Sequence, residues 1–467
     1  MNYFEIVSSL RKSRKNIHRT KIELQQMQEQ KFREIANYAY HYSAYYRRVF
    51  QQAGIYDRNL FTKPISDFPK LNKEEFLKNF DDIVTSNDLS MDSLRAFDGL
   101  ESRKDKKYQD NYHLVHSSGS TGKPMYFVYD ENAWNQMLIG IIRAALWDMS
   151  ELEIIRLLLK GPKIAYIAAT DGRYGGAMAV SGGVKSLKGK QLFLDIKTPL
   201  SEWIREIEAF KPNVIIGYPS AIKIVADLVA KGETQVNVSR VISCGEPLNT
   251  NLRRYFSEVF CAKIVNIYGA SESLALGVET DESDGMYLFD DLNYIEVQDG
   301  EMYLTSLYNY TQPLIRYKIT DQLTLKKVDQ GFSKAEILLS RNEDLLWFEK
   351  SDGIEDFIHP LAIEGFCIEA MLDYQFVQDS NRSFTILVES ALGADHDRIR
   401  SEFRMAMQEI LDEKKLSNVK FAIKFVDRIE PNLISGKKQL IQKEYNLLSV
   451  EPEFSQSFHA EDRVYSK

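Results

Sequence analysis

From residue 160 onward, short runs of aliphatic and β-branched residues alternate with segments whose apolar positions recur at helical spacing. The runs are KIAYIAA at 163–169, NVIIG at 213–217, VISC at 241–244 and KIVNI at 263–267; helical segments lie at 201–210 and 220–231. Strands separated by helices of this length predict βαβ units and a mostly parallel sheet. Such sheets bind ligands at the carboxyl ends of their strands, where the following turns gather. Upstream, Ile35, Tyr38, Tyr42, Tyr45 and Val49 follow a 3-4-3-4 spacing that predicts one helix face, stopped at Gly54. The tyrosines crowding 38–46 read as helix packing. Residues 85–111, rich in Ser, Asp and Lys, read as a connector. Beyond 341 the texture changes again: FTILVE (384–389) and KFAIKFV (420–426) predict strands around an amphipathic helix at 397–414. The expectation is an α/β chain in two parts. Residues 1–340 form a large domain of mostly parallel sheets flanked by helices, its first 110 residues being helical with a connector. Residues 341–467 form a small α+β domain.

Composition narrows the class. The 467 residues are 44% hydrophobic and 27% charged, ordinary for a soluble globular protein. Cys244, Cys261 and Cys367 are too few and too scattered for a disulfide framework or a CxxC metal site, and are expected to be reduced and buried. A net charge of −8 argues against a dedicated nucleic-acid binder. The apolar stretch at 137–147 is interrupted by Arg143 and falls short of the roughly 18 residues of a membrane span. Arg11, Lys12, Arg14, Lys15, Arg19 and Lys21 come after a short mixed stretch, the wrong order for a secretory signal. They suit a solvated helix face better than an anionic lipid surface. These features lead to the expectation of a cytoplasmic protein; a homodimer is compatible with them.

The strongest chemical signal is HSSGSTGKP at 116–124. Gly119 and Gly122 free the backbone to expose N–H groups, Ser117, Ser118, Ser120 and Thr121 add hydroxyls, and Lys123 adds charge: a loop suited to wrap an anion. A Walker A loop fails here on spacing and on chemistry, because only two residues separate the glycines and a proline follows the lysine. His113 and His116 flank the loop without metal-ligand spacing and read as structural.

SSGSTGKP resembles the phosphate-loop signature of the adenylate-forming superfamily, the acyl- and aryl-CoA ligases and their relatives. Further elements follow in that family's order: CGEPL (244–248), YGASE (268–272), RYKITD (316–321), RNED (341–344) and SGK (435–437). The segment FREIANYAYHYSAYYRRVFQQAGI, with FPKLNKEEF and KPNVIIGYPSAI (211–222), is similar to the phenylacetate–CoA ligase and capsule-biosynthesis (CapK-like) subfamily. The resemblance implies an ATP-dependent, AMP-forming ligase with Mg²⁺ as cofactor and a mobile C-terminal lid. Gly245, Glu246 and Pro247 would meet the purine edge, Tyr268 and Gly269 the adenine face with Ser271 beside them, and Asp321 the ribose hydroxyls through its two acceptor oxygens. Glu272 would bind the metal, which prefers oxygen donors. Arg341 would contact the ribose and Glu343 would serve as the hinge. Lys437 would be the catalytic cation, a point charge on a long stem. Arg316 reads as structural or ribose-directed. Tyr174, Gly175, Tyr218 and Ala270 would wall an acyl pocket.

Departures from the family pattern bear on the acceptor. Thr320 and Ser340 replace glycines, and the loop from 341 to 360 is about three residues longer than usual. The expected partners are a small carboxylic acid, ATP and an acyl acceptor, with CoA ahead of an amine. A nucleotide-binding module without turnover is the reading from a different class.

Overall fold

The computed structural model describes residues 3–100, 107–116, 125–170, 174–186, 189–319, 321–328, 330–338, 345–363, 366, 368–429 and 440–443. The chain divides into two units, Met1–Leu345 with Ile358–Cys367, and Leu346–Phe357 with Ile368–Lys467.

The large unit is organised around a nine-stranded sheet. In spatial order its strands are Gln322–Lys326, Lys334–Leu338, Met286–Leu288, Ser273–Thr280, Lys263–Ala270, Arg240–Cys244, Val214–Gly217, Lys163–Ala168 and Lys190–Asp195. The last five run parallel, and the strands at 163–168, 214–217 and 240–244 are almost wholly buried. Burial on both faces is why they read as unbroken apolar runs. Helices Leu200–Phe210 and Pro219–Ala230 connect them within a residue of the expected bounds. The remaining four strands extend the sheet antiparallel. That half was not anticipated, and neither was the outer parallel strand Lys190–Asp195. Ser273–Thr280 follows Lys263–Ala270 after a two-residue reversal at Ser271 and Glu272, too short to leave a polar punctuation mark. Gly269 permits the reversal, since a Cβ there would collide with the Leu274 carbonyl.

Three local expectations need correction. The face from Ile35 to Val49 belongs to two helices, Lys21–Tyr42 and Ala44–Gln52. Ser43 is extended, and its hydroxyl accepts the Tyr46 N–H and caps the second helix. Tyr42 is therefore exposed, and the buried stripe runs through Phe32, Ile35, Ala36 and Ala39 into Tyr45, Tyr46 and Phe50. Gly54 does follow the second helix, at φ 71°. The supposed connector contains a helix, Met91–Asp98, started by a Ser90–Ser93 capping box, with Met91 and Leu94 buried. Cys261 is exposed, because it ends helix Thr250–Phe260 in the left-handed conformation. Cys244 is half-buried, and burial pushes its thiol up to about 12. Cys367 lies outside the described residues.

The basic N-terminal helix, Tyr3–Ile17, is partly docked on protein: Arg14 donates to the Leu146 and Met149 carbonyls at 2.7 and 2.8 Å. Arg11 and Lys12 are exposed. Arg143, which interrupts the longest apolar stretch, forms a buried pair with Asp291 at 2.7 Å. Among the described residues no helix is long and apolar enough to cross a membrane.

The small unit contains a four-stranded sheet in the order Lys420–Val426, Ser383–Ser390, Met371–Ser380, Ile441–Lys443. Helix His396–Glu413 buries Ile399, Phe403, Met407, Ile410 and Leu411, with Phe403 edge-on to Tyr374 of the sheet.

Candidate active site

The candidate site is assembled where strands of the large sheet end. Arg240–Cys244 runs directly into Gly245, Glu246 and Pro247. Gly245 has φ 80°, and a Cβ on it would lie 2.6 Å from the Tyr218 ring. The loop thus lies flat on a buried aromatic surface that only glycine allows. One strand over, Tyr268 projects near the end of Lys263–Ala270, and its hydroxyl donates to Asp321 Oδ2 at 2.8 Å. Asp321 immediately precedes the edge strand Gln322–Lys326. These groups line one cleft of about 490 Å³ that contains Gly245, Glu246, Pro247, Tyr268, Gly269 and Asp321. Gly245 and Asp321, 76 positions apart in sequence, meet there. The volume lies within the range typical of small-molecule sites. Tyr268 uses one acceptor position on the carboxylate, leaving Asp321 further lone pairs for a ligand.

The profile of the AMP-binding enzymes matches residues 56–341, which brings the cleft and the anion-loop sequence within one family pattern. The chain belongs to the AMP-binding enzymes, the adenylate-forming ligases.

It is similar to Protein CapK of Staphylococcus aureus, 22% identical across 94% of this chain and 91% of that protein. The phenylacetate-coenzyme A ligase of Thermus thermophilus is 24% identical over 76% of this chain and 78% of that protein. A solved 2-hydroxyisobutyryl-CoA ligase, in complex with 2-HIB-AMP and CoA, has the same fold, with TM-score 0.60 at 18% identity and 91% of each chain covered.

Within this adenylate-forming fold, Ser271 and Glu272 occupy the reversal after Tyr268. The Ser271 carbonyl accepts a 2.9 Å hydrogen bond from the buried Tyr129 hydroxyl. Burial pushes the Glu272 carboxyl up to about 7, and the nearby charge of Asp321 adds to the shift. A backbone hydrogen bond at Glu272 and the charge of Lys73 oppose the shift without cancelling it, and an acid desolvated in this way suits a divalent cation as its counter-charge. Among the described residues no group of three or more His, Cys, Asp and Glu gathers as a metal centre.

The anion-loop residues Ser117, Ser118, Gly119, Ser120, Thr121, Gly122 and Lys123, together with Arg341, Glu343 and Lys437, lie outside the described residues. The loop is bounded by antiparallel strands His113–His116 and Tyr126–Tyr129, which pair His116 with Tyr126. His113 stacks on Trp134, with ring centroids 4.3 Å apart, and burial pushes its pKa down. His116 places Nδ1 3.3 Å from Asp98, and its ring is 5.2 Å from that of Tyr174. Among the acyl-pocket candidates, Tyr174 and Gly175 open helix Gly175–Ser186 beside this histidine, and Ala270 ends its strand half-buried. Tyr218 is buried, packed between Gly245 and His359. Arg316 is 2% exposed. Its guanidinium holds Glu296 through two bonds at 2.9 and 3.0 Å and donates to the Ser66 and Phe68 carbonyls, each at 2.7 Å. It ties the amino-terminal segment to the three-stranded sheet Asn293–Gln298, Glu301–Ser306, Tyr317–Ile319.

The sequence reading missed the partners of Glu246. Its carboxylate meets Ser220 Oγ and His359 Nε2, each at 2.9 Å. Ser220 stood only within the GYPS string and His359 only as the end of a long loop. No local pattern joins them to position 246.

Proposed function

We propose that this chain is an ATP-dependent ligase that converts a carboxylic acid into its acyl-adenylate and passes the acyl group to CoA. The observation that carries the proposal is the single cleft in which the 245–247 loop, Tyr268 and Asp321 converge. A carboxylate is a poor electrophile, and joining its oxygen to AMP gives it a good leaving group. In the first step the substrate carboxylate attacks the α-phosphorus of ATP and pyrophosphate leaves. In the second, the acceptor attacks the acyl carbon and AMP leaves. Holding the reactants in line supplies much of the rate.

The residues divide this work. Backbone groups of Gly245, Glu246 and Pro247 meet the purine edge, the Tyr268 ring lies against its face, and Gly269 lets the chain pass close by. The Asp321 carboxylate accepts from the ribose hydroxyls, and Arg341 adds a second ribose contact. Residues 117–123 wrap the phosphates, and Ser271 adjoins them. Glu272 holds Mg²⁺, which when bound withdraws charge from the phosphate oxygens. Lys437 stabilises charge shared between the entering carboxylate and the phosphorus. Tyr174, Gly175 and Ala270, with Tyr218 behind them, shape the acyl pocket. Glu343 provides the hinge by which the carboxyl-terminal domain serves both steps.

CoA as acceptor is favoured by likeness to the phenylacetate-coenzyme A ligase of Thermus thermophilus. An amine acceptor is the second reading. It is favoured by likeness to the indoleacetate–lysine synthetase of Pseudomonas savastanoi, 25% identical over 45% of this chain and 55% of that protein. Pyrophosphate release over a panel of carboxylic acids, with CoA, with amines and with neither, tests both. Acid-dependent release completed by CoA supports the proposal, and completion by an amine alone reassigns the acceptor. ATP binding without release for any acid favours a nucleotide-binding module.

A further inference from the structure

Glu246 is tied down more firmly than a loop acid at the rim of a cleft requires. Its Oε1 is 2.9 Å from Ser220 Oγ and 2.9 Å from His359 Nε2, and its Oε2 accepts the Ser220 backbone N–H at 3.1 Å. Ser220 Oγ and His359 Nε2 are also 2.9 Å apart. An ionised carboxylate only accepts, so the serine O–H and the imidazole Nε2–H both donate to it. Ser220 is the second residue of helix Pro219–Ala230, so the carboxylate sits at a helix N-terminus, where the backbone dipoles favour negative charge. The neighbouring residue is held by the same layer. Gly245 rests on the Tyr218 ring, which lies 5.5 Å from the His359 ring at an angle of 30°. His359 is 1% exposed. A buried imidazole is costly unless its nitrogens are bonded, and here one nitrogen is aimed at the loop acid. The segment Ile358–Cys367 belongs to the large unit although both stretches flanking it in sequence belong to the small one.

We propose that His359 is a positioning residue for the nucleotide, fixing the 245–247 loop against the purine through Glu246; this rests on the nucleotide reading of the cleft given above. His359 touches no reacting atom. It acts by holding Glu246, and with Glu246 the backbone groups of the loop, in one orientation before the ligand arrives, so that binding does not have to order them.

The test is calorimetric binding of the non-cleavable analogue α,β-methylene-ATP with Mg²⁺, and separately of inorganic tripolyphosphate, to the full-length protein. Three variants are compared with the wild type: His359→Ala, His359→Gln, whose amide N–H takes the place of the Nε2 donor, and Ser220→Ala. His359→Ala is expected to weaken the nucleotide analogue about tenfold, the scale of one lost bond to a charged group. Tripolyphosphate, which has no purine, should bind within twofold of wild type. His359→Gln should recover most of the loss, and Ser220→Ala should shift the nucleotide in the same direction. Equal weakening of both ligands overturns the assignment, as does unchanged nucleotide affinity in a folded His359→Ala protein. If that variant melts below the assay temperature, Ser220→Ala decides: wild-type nucleotide affinity there overturns the proposal. A wild-type protein that binds no nucleotide analogue sinks the underlying reading of the cleft. Variants that leave a binding-competent wild type unaltered sink only the role of His359.

Discussion

Replacing Gly245 by alanine puts a number on how tightly the loop is seated. Two costs add. At φ 80° an L-residue sits in the left-handed region, at about 1–2 kcal/mol. The new Cβ would also fall 2.6 and 2.8 Å from two ring carbons of Tyr218, where comfortable carbon contacts are ~3.5–4.0 Å. The ring must retreat by roughly 1 Å, yet it is 8% exposed and backed by His359. Overpacking of that kind costs about 1–3 kcal/mol. The total of ~2–5 kcal/mol, spread over the unfolding entropy of a unit of about 350 residues, lowers its melting temperature by roughly 3–7 °C. Differential scanning calorimetry measures this, and the cycle with Tyr218→Ala separates the two terms. In the Tyr218→Ala background only the backbone term of about 1–2 kcal/mol should remain. A melting temperature within 1 °C of wild type, or the same penalty in both backgrounds, would refute the packing argument.

Three further outcomes follow from the site. Tyr268→Phe keeps the ring but removes the 2.8 Å bond to Asp321; nucleotide affinity should fall about tenfold, with the maximal rate of pyrophosphate exchange nearly unchanged, and an unaltered affinity would detach Tyr268 from Asp321 in function. Lys437→Ala should lower acyl-adenylate formation by about two to three decades, ~3–4 kcal/mol of barrier, while binding of the ATP analogue survives; undiminished pyrophosphate release would remove the lysine from the chemistry. Burial pushes the Cys244 thiol up to about 12, so its thiolate is scarce at pH 8 and becomes abundant only as the pH approaches that value, whereas Cys261 is exposed. Peptide mapping after iodoacetamide treatment at pH 8 should find Cys261 alkylated first and Cys244 much later; equally early labelling of Cys244 would contradict its raised thiol pKa.

Four of the five parallel strands of the large sheet were legible because each carries its own signal: Ile164, Ala165, Tyr166, Ile167 and Ala168 are all buried, and such a run needs no partner to be recognised, whereas the outer strand Lys190–Asp195, mostly half-buried, carries no such run and was not predicted. The antiparallel half was not, since Ser273–Thr280 begins two residues after its predecessor ends. Helical periodicity ran straight through Ser43, whose backbone breaks the chain while its hydroxyl restarts it. The helix at Met91–Asp98 was hidden by its polar composition, because two buried apolar side chains, Met91 and Leu94, are enough to seat so short an element. In the site, Gly245, Tyr268 and Asp321 were legible through their spacing along a family pattern. Ser220 and His359 were not, because what joins them to Glu246 is proximity across 26 and 113 positions, and a one-dimensional string does not encode that.

The interleaved division of the chain has a practical consequence for anyone trimming it. A fragment stopped at Leu345 retains every strand of the nine-stranded sheet yet lacks Ile358–Cys367, which packs with that unit. Such a fragment would leave the Glu246 carboxylate without its imidazole partner and Tyr218 bare on one side. Shortening the protein faithfully means keeping the intervening segment Leu346–Phe357, or replacing it by a tether that returns the later segment to its seat.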